Sequence, residues 1–318
     1  MRFQLCALAG ILALLPCGRI AAQSTASRNF RVTLLGTGSP VLSVTRFGPS
    51  TLVEAGDQTL VFDAGRGTAQ RLDQLGVSFA RIDAIFLTHL HSDHIVGLPD
   101  LWLSGWILSR RTTPWEVFGP AGTAAMAAHL ARAFSFDVDI RIKDGRQDAA
   151  GGQLSAHDIV PGIVYERGGV KVTAFLVDHG MVAPALGYRI EYGGRTVVLS
   201  GDTRFSPKLI AVARGADLLI HEVALAPTDV GPSAPYYRAF LHHTTPEQAA
   251  DVFTRARPAL AVYSHIVVFG GAAEPEILDR TRRSYAGPLL LGEDLMSVAV
   301  GDTMATPRPR SASAAPRP

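Results

Sequence analysis

The segment Thr88-His89-Leu90-His91-Ser92-Asp93-His94 places three imidazoles and a carboxylate within six residues, directly after the apolar run Ile82 to Leu87. These residue types at this density predict a metal site. Zn²⁺ takes imidazole nitrogen and carboxylate oxygen at about 2.0–2.2 Å, and a catalytic zinc keeps one position open for water. A strand ending near Thr88 would project His89 and His91 from the same side of the backbone, so that both rings reach one ion. Asp93 and His94 would then serve a second. A polar loop of solvated histidines is the bland alternative, and it suits a lone histidine far better than this cluster.

The spacing is similar to the HxHxDH motif of the metallo-β-lactamase superfamily, and the resemblance runs from about Arg31 to Asp302. It implies a third histidine for the first ion, an aspartate bridging both ions and a final histidine for the second. His179, Asp202 and His265 are the candidates, and each follows an apolar run that reads as a strand: Val172 to Val177, Thr196 to Val198, and Leu260 to Ser264. Side chains from several strand ends can converge on one sheet edge. The implied assignment is His89, His91 and His179 on one zinc, Asp93, His94 and His265 on the other, and Asp202 between them. Manganese or iron are alternatives for the same pair of sites.

Other segments resemble the ribonuclease Z-like branch: Leu34 to Pro40, Phe62 to Thr68, Val117 to Gly122, Gly187 to Glu191, Ile220-His221-Glu222 and His243-Thr244-Thr245. The glycine-rich segments lack the GxGxxG or GxxxxGK[ST] context of a nucleotide fold, and their glycines suit tight turns. A TPGHTPG-like segment, common in β-lactamases and glyoxalases, is missing, which makes antibiotic hydrolysis a minor reading. The resemblance implies that Glu222 orients His243, whose imidazole protonates the departing oxygen, and that Asp93 orients or deprotonates the attacking water. A carboxylate raises imidazole basicity and fixes its tautomer. His242-His243 also reads as a polar loop ahead of a helix at Pro246 to Ala256 with Thr245 as N-cap, and the two readings are compatible.

Met1-Arg2, the apolar run Leu5 to Leu15 and small residues around Ala21-Ala22-Gln23 follow the order of a secretory signal, too short for a comfortable bilayer span. Residues 1–22 are therefore expected to be cleaved, giving a periplasmic or secreted protein with no stable membrane span. Both cysteines, Cys6 and Cys17, lie in that segment, so the mature chain has neither disulfide nor thiolate ligand. Residues 23–302 are expected to form one hydrolase domain, and the Pro/Ser/Ala-rich residues 303–318 a disordered tail. Strand-like runs at 31–35, 51–54, 59–62, 84–87, 116–118, 170–177, 186–192, 196–199 and 218–220 alternate with helical stretches at 68–75, 98–109, 122–133, 207–213 and 246–256. The pattern by itself gives mixed α/β. The resemblance sharpens this to an αββα sandwich, two mixed β-sheets face to face with helices outside.

A formal net charge of +2 from 30 Lys and Arg against 28 Asp and Glu is no basic stripe for tracking phosphate backbones. The long arm by which the resemblance implies tRNA is gripped would, in a common bacterial form, interrupt Tyr192 to Ser200, where only a short hairpin fits. Nucleic acid is therefore not the expected partner. The expectation is an exported dinuclear zinc hydrolase of small anionic phosphodiesters or sulfate esters, of phosphodiesterase or arylsulfatase type. A tRNA 3′-end endonuclease of ribonuclease Z type is the enzyme alternative, and a non-catalytic metal-binding scaffold the alternative of another class. The sequence leaves a homodimer open.

Overall fold

A computed structural model describes residues 30–300 and 306–307. The expected signal segment and nearly all of the expected tail lie outside the described residues. Two mixed sheets organise the chain. The first contains β1 (Phe30–Gly36), β2 (Ser50–Ala55), β3 (Gln58–Phe62), β4 (Ala84–Phe86), β5 (Trp115–Gly119) and β6 (Leu154–Asp158). The second contains β7 (Gly162–Arg167), β8 (Val170–His179), β9 (Val182–Tyr192), β10 (Arg195–Leu199), β11 (Leu218–Leu225), β12 (Leu260–Val268) and β13 (Leu289–Leu291). The chain then returns to the first sheet with β14 (Met296–Ala299) and the two-residue β15 (Thr306–Pro307), giving the orders β15-β14-β1-β2-β3-β4-β5-β6 and β13-β12-β11-β10-β9-β8-β7. In each sheet one part is antiparallel and the other parallel, at β3 to β6 and at β10 to β13.

Strand periodicity sorts the apolar side chains into layers. Leu260 and Val262 of β12 join Phe62, Phe86 and Tyr188 in the core between the sheets, while Ala261 and Tyr263 face the other way. That outer face of the second sheet is covered by α6 (Pro207–Val212), α8 (Pro246–Ala256) and α9 (Glu276–Arg282). On the first sheet, Leu35, Val61 and Ile85 meet α1 (Thr68–Gln74) and α3 (Leu98–Ser109), with Trp102 fully enclosed. Burying one such aromatic contributes about 1.5–3 kcal/mol. The result is the expected αββα sandwich. Between these lie α2 (Ser92–Ile95), α4 (Thr123–Ala133), α5 (Ser135–Lys143) and α7 (Tyr237–Phe240). Among the described residues no helix is long and apolar enough to cross a membrane.

Helix α8 shows how local sequence fixes an element near the site. Thr245 accepts from the Gln248 amide while the Gln248 side chain accepts from the Thr245 amide, Pro246 occupies the first turn, and Ala249, Val252, Phe253 and Ala256 form the buried stripe. The helix stops where Arg257 turns left-handed. The β9–β10 hairpin is as short as its sequence requires, with Gly193 and Gly194 at positive φ between the paired Tyr192 and Arg195. Helix α5 and strands β6 and β7 were not legible: α5 buries no residue, and the two strands carry mostly half-buried or exposed residues, so neither leaves an apolar period.

Candidate metal centre

The centre sits where the C-terminal ends of the parallel strands of both sheets meet. After β4 the chain is already out of strand conformation at His89, so the two histidines do not share a strand face as expected. Instead an irregular turn brings their rings to 4.7 Å between centroids, and α2 then carries Asp93 and His94. From the second sheet, His179 is the last residue of β8 and Asp202 lies beyond β10. Gly201 precedes it at φ 59°, where an added Cβ would stand 2.5 Å from the Leu186 carbonyl oxygen, so only glycine fits the turn. His265 does not end its strand. It is the extra residue of a β-bulge within β12, at φ 43°, while the pairing with β11 resumes at Ile266. Such a bulge re-aims a side chain, here into the centre.

All seven predicted ligands converge. His89 Nε2 and His91 Nδ1 are 3.0 Å apart, and His91 Nδ1 and His179 Nε2 3.3 Å. Asp202 Oδ2 stands 3.8 Å from both His89 Nε2 and His179 Nε2, 3.3 Å from His94 Nε2 and 3.2 Å from His265 Nε2. Asp93 Oδ2 completes the second group at 3.3 Å from His265 Nε2 and 3.6 Å from His94 Nε2. Tetrahedral ligands at about 2.0–2.1 Å from an ion stand roughly 3.3–3.4 Å from one another, so both groups match the donor spacing of a metal site. His94 Nε2 and Asp202 Oδ1 are buried without a hydrogen-bond partner among the described residues. Orphaned atoms of this kind cost about 1–3 kcal/mol each unless a cation satisfies them.

A second ring of contacts fixes the donors. Asp63, held at φ 58° after β3, takes His94 Nδ1 at 2.9 Å and the Thr88 amide at 2.8 Å. The Thr88 hydroxyl lies 2.9 Å from Asp63 Oδ2 and 3.0 Å from His89 Nδ1. One carboxylate thus braces His94 directly and His89 through Thr88. The His242 carbonyl takes His179 Nδ1 at 3.0 Å. Such partners fix ring tautomer and orientation. Sequence reading missed the role of Asp63, seeing only the glycines around it. Its signal was an acidic residue closing an apolar strand beside that cluster.

Glu222 and His243 meet as predicted. Glu222 Oε1 accepts the Thr203 amide at 3.2 Å and the Thr244 amide at 2.9 Å, and Oε2 lies 3.2 Å from His243 Nδ1. The His243 ring stacks near His265, 5.5 Å between centroids. Burial by itself would lower the His243 pKa, but the charge and hydrogen bond of Glu222 outweigh it and hold the imidazole up at about 9. Burial holds His91 and His179 down, and burial together with His94 holds His89 well down, so these three present neutral nitrogens. Asp202 is enclosed, which disfavours its charge, yet His265, His94 and His89 hold it well below the usual carboxylate range. For His94, burial is overcome by Asp202 and Asp63, which raise it well above the ordinary value. His89, His91 and His179 with the ionised Asp202 are thus in the donor state a metal requires, whereas His94 would release a proton when a cation takes its place between Asp202 and Nε2.

Residues 58–266 match the family described as Beta-lactamase superfamily domain. Ribonuclease Z of Mycobacterium marinum is 37% identical over 277 residues, covering 85% of this chain and 98% of the relative. Among solved structures, human tRNase Z, short form, superposes with TM-score 0.65 at 24% identity, covering 85% of this chain and 99% of that one. The metallo-β-lactamase fold protein YhfI from Bacillus subtilis gives TM-score 0.65 at 19% identity, covering 85% and 99%. These findings correct two expectations, the small phosphodiester or sulfate ester as substrate and the exclusion of nucleic acid as partner. The expectations leaned on net charge and on the short Tyr192–Arg195 hairpin. A formal charge says nothing of how side chains are placed around one groove, and a chain with this hairpin aligns over 98% of a protein named ribonuclease Z. The chain belongs to the metallo-β-lactamase superfamily and, within it, to the ribonuclease Z family.

Proposed function

We propose that this protein is a metal-dependent RNA endonuclease of ribonuclease Z type, acting at the 3′ side of precursor tRNA. The observation that carries the reading is the end-to-end similarity to a ribonuclease Z, 98% of the relative being covered, in a chain that keeps a full donor set. In this reading His89, His91 and His179 hold one zinc ion, Asp93, His94 and His265 a second, and Asp202 both. Bound there, the ions supply positive charge for the phosphate oxygens and make water more acidic. The chain's own residues do the rest. Asp93 orients the attacking water and takes up its proton. Water oxygen joins phosphorus, the bond from phosphorus to the leaving oxygen breaks, and His243 delivers a proton to that oxygen. Glu222, pinned by two backbone amides, keeps Nδ1 of His243 engaged so that Nε2 is the nitrogen free to face the substrate.

The test is cleavage of a precursor tRNA with a 3′ extension by the purified, metal-loaded chain, with an aryl phosphodiester and an aryl sulfate as comparison substrates. Accurate cleavage beside the acceptor stem supports the reading. A protein that binds two ions per chain and leaves precursor tRNA intact overturns it. Export is a proposal resting on Met1 to Ala22 that competes with this reading, since tRNA precursors are cytosolic: if it holds, mass spectrometry of the native protein should find an N-terminus near Gln23. Intact Met1 on cytosolic protein defeats it.

A further inference from the structure

A groove of about 570 Å³ opens against His243 and extends over Met181, Arg204, Arg238, Phe240 and His242. Its volume lies in the range of about 300–1,000 Å³ that accommodates small ligands. It is separate from the cavity beneath the donors, which is lined by Asp63, His94, Asp202 and His265. Of the groove residues only His243 belongs to the reaction centre proposed above, so the groove begins at the proton donor and leads away from it.

Two guanidinium groups, Arg204 and Arg238, face a single lining carboxylate, Asp178, which stands 3.9 Å from Arg204 Nε. Arg204 Nε is buried with no hydrogen-bond partner among the described residues. Next to the charge lie flat and polarisable apolar surfaces. The Phe240 ring is held edge-on against Phe269 at 6.1 Å, and Met181, in the turn between β8 and β9, is 92% exposed. Cations interleaved with stacking surfaces are the chemistry that holds single-stranded nucleic acid, phosphates on the former and bases on the latter.

The direction follows from proton delivery and rests on the RNA-cleaving reading. When the bond from phosphorus to oxygen breaks, the oxygen that takes the His243 proton stays attached to one of the two fragments, and that fragment lies on the His243 side. The geometry points to this groove as the subsite for the RNA fragment that departs with a new free hydroxyl. About one or two of its nucleotides fit, with phosphate on Arg204 and Arg238 and a base on Phe240 and Met181.

The experiment compares the metal-loaded wild type with Arg238→Ala, Arg204→Ala and Phe240→Ala on two substrates. One is precursor tRNA. The other is a nucleoside 5′-(4-nitrophenyl) phosphate, whose leaving group is a nitrophenolate that carries no phosphate for Arg204 and Arg238 and no nucleobase for Phe240. Each variant should raise KM for RNA about 5- to 100-fold, the range expected for one lost stacking or phosphate contact. Turnover of the aryl ester should stay within roughly twofold, since the chemistry at phosphorus is untouched. Each arginine variant should also flatten the slope of log KM against log salt by about 0.7, while Phe240→Ala leaves it unchanged. Unaltered KM and salt slope with RNA still cleaved overturn the groove and leave the proposed function standing. Equal losses on both substrates also overturn it, as general damage to the site. A wild type that hydrolyses the aryl ester but no RNA removes the proposed function and the groove with it.

Discussion

The two sheets supply the centre in different ways. The first contributes His89, His91, Asp93 and His94 from one short stretch after β4, and braces it from β3 through Asp63. The second contributes His179, Asp202 and His265 from three strands far apart in the chain, each aimed by a separate backbone device: a strand end, a glycine turn and a bulge. The local half is held by hydrogen bonds among neighbours. The dispersed half is held by sheet register, because a one-residue slip would send every side chain of a strand to the other face.

The largest effect should come from the residue on which the two halves meet. Asp202→Ala removes the oxygen that stands 3.2–3.8 Å from four histidines. Elemental analysis should show both ions lost, with affinity falling well beyond the roughly 100-fold that loss of a bracing contact costs. Retention of one ion at full affinity would show that the halves bind independently.

His243→Ala tests a residue of the dispersed side that is outside the proposed ligand set. Both ions should stay, and hydrolysis of esters with poor leaving groups should slow by about 10²–10⁴-fold, with activated aryl esters much less affected. Uniform loss across a leaving-group series would remove the proton-donor role. The charged form of His243 is favoured in the fold, up to about 9. Its contribution to stability is therefore complete below the ordinary histidine value and fades as pH rises through that folded value, and the proton donor is lost in the same direction. Bound cations oppose the shift. The rate on poor leaving groups should accordingly fall on the alkaline side, with a midpoint at or below about 9, and Glu222→Gln should move that midpoint down. A flat profile up to pH about 9 in Glu222→Gln contradicts the pairing.

Asp63→Asn probes the local half. The asparagine has one accepting oxygen where the carboxylate has two, so it cannot serve both the Thr88 amide and His94 Nδ1, and the path from Asp63 through Thr88 to His89 is weakened at the same time. Affinity for both ions should fall about 10- to 100-fold, measured by competition with a chelator. Weakening of one ion alone would confine Asp63 to His94. The smallest effect belongs to Thr245→Ala, which removes one reciprocal cap of α8. It should cost about 1 kcal/mol in denaturant unfolding with metal content unchanged, so a large loss of metal would mean that the cap also holds the His242-His243 turn.

The sequence by itself offered His89, His91, Asp93 and His94 as donors, because imidazole and carboxylate at HxHxDH spacing have few other uses, and the family resemblance added His179, Asp202 and His265; it determined α8 and β8 through their apolar periods and α3 through its continuous apolar run. It determined the Thr245 cap and the short β9–β10 hairpin through local turn chemistry. It did not determine the substrate: a net charge of +2 averages over the whole surface and hides Arg204 and Arg238, which lie 34 residues apart and share one groove. The bulge at His265, the positive φ of Asp63 and the path from Asp63 through Thr88 to His89 were decided only by the tertiary structure. Each depends on which strands lie side by side and in what register, and that is settled by packing two sheets face to face, not by any run of neighbouring residues.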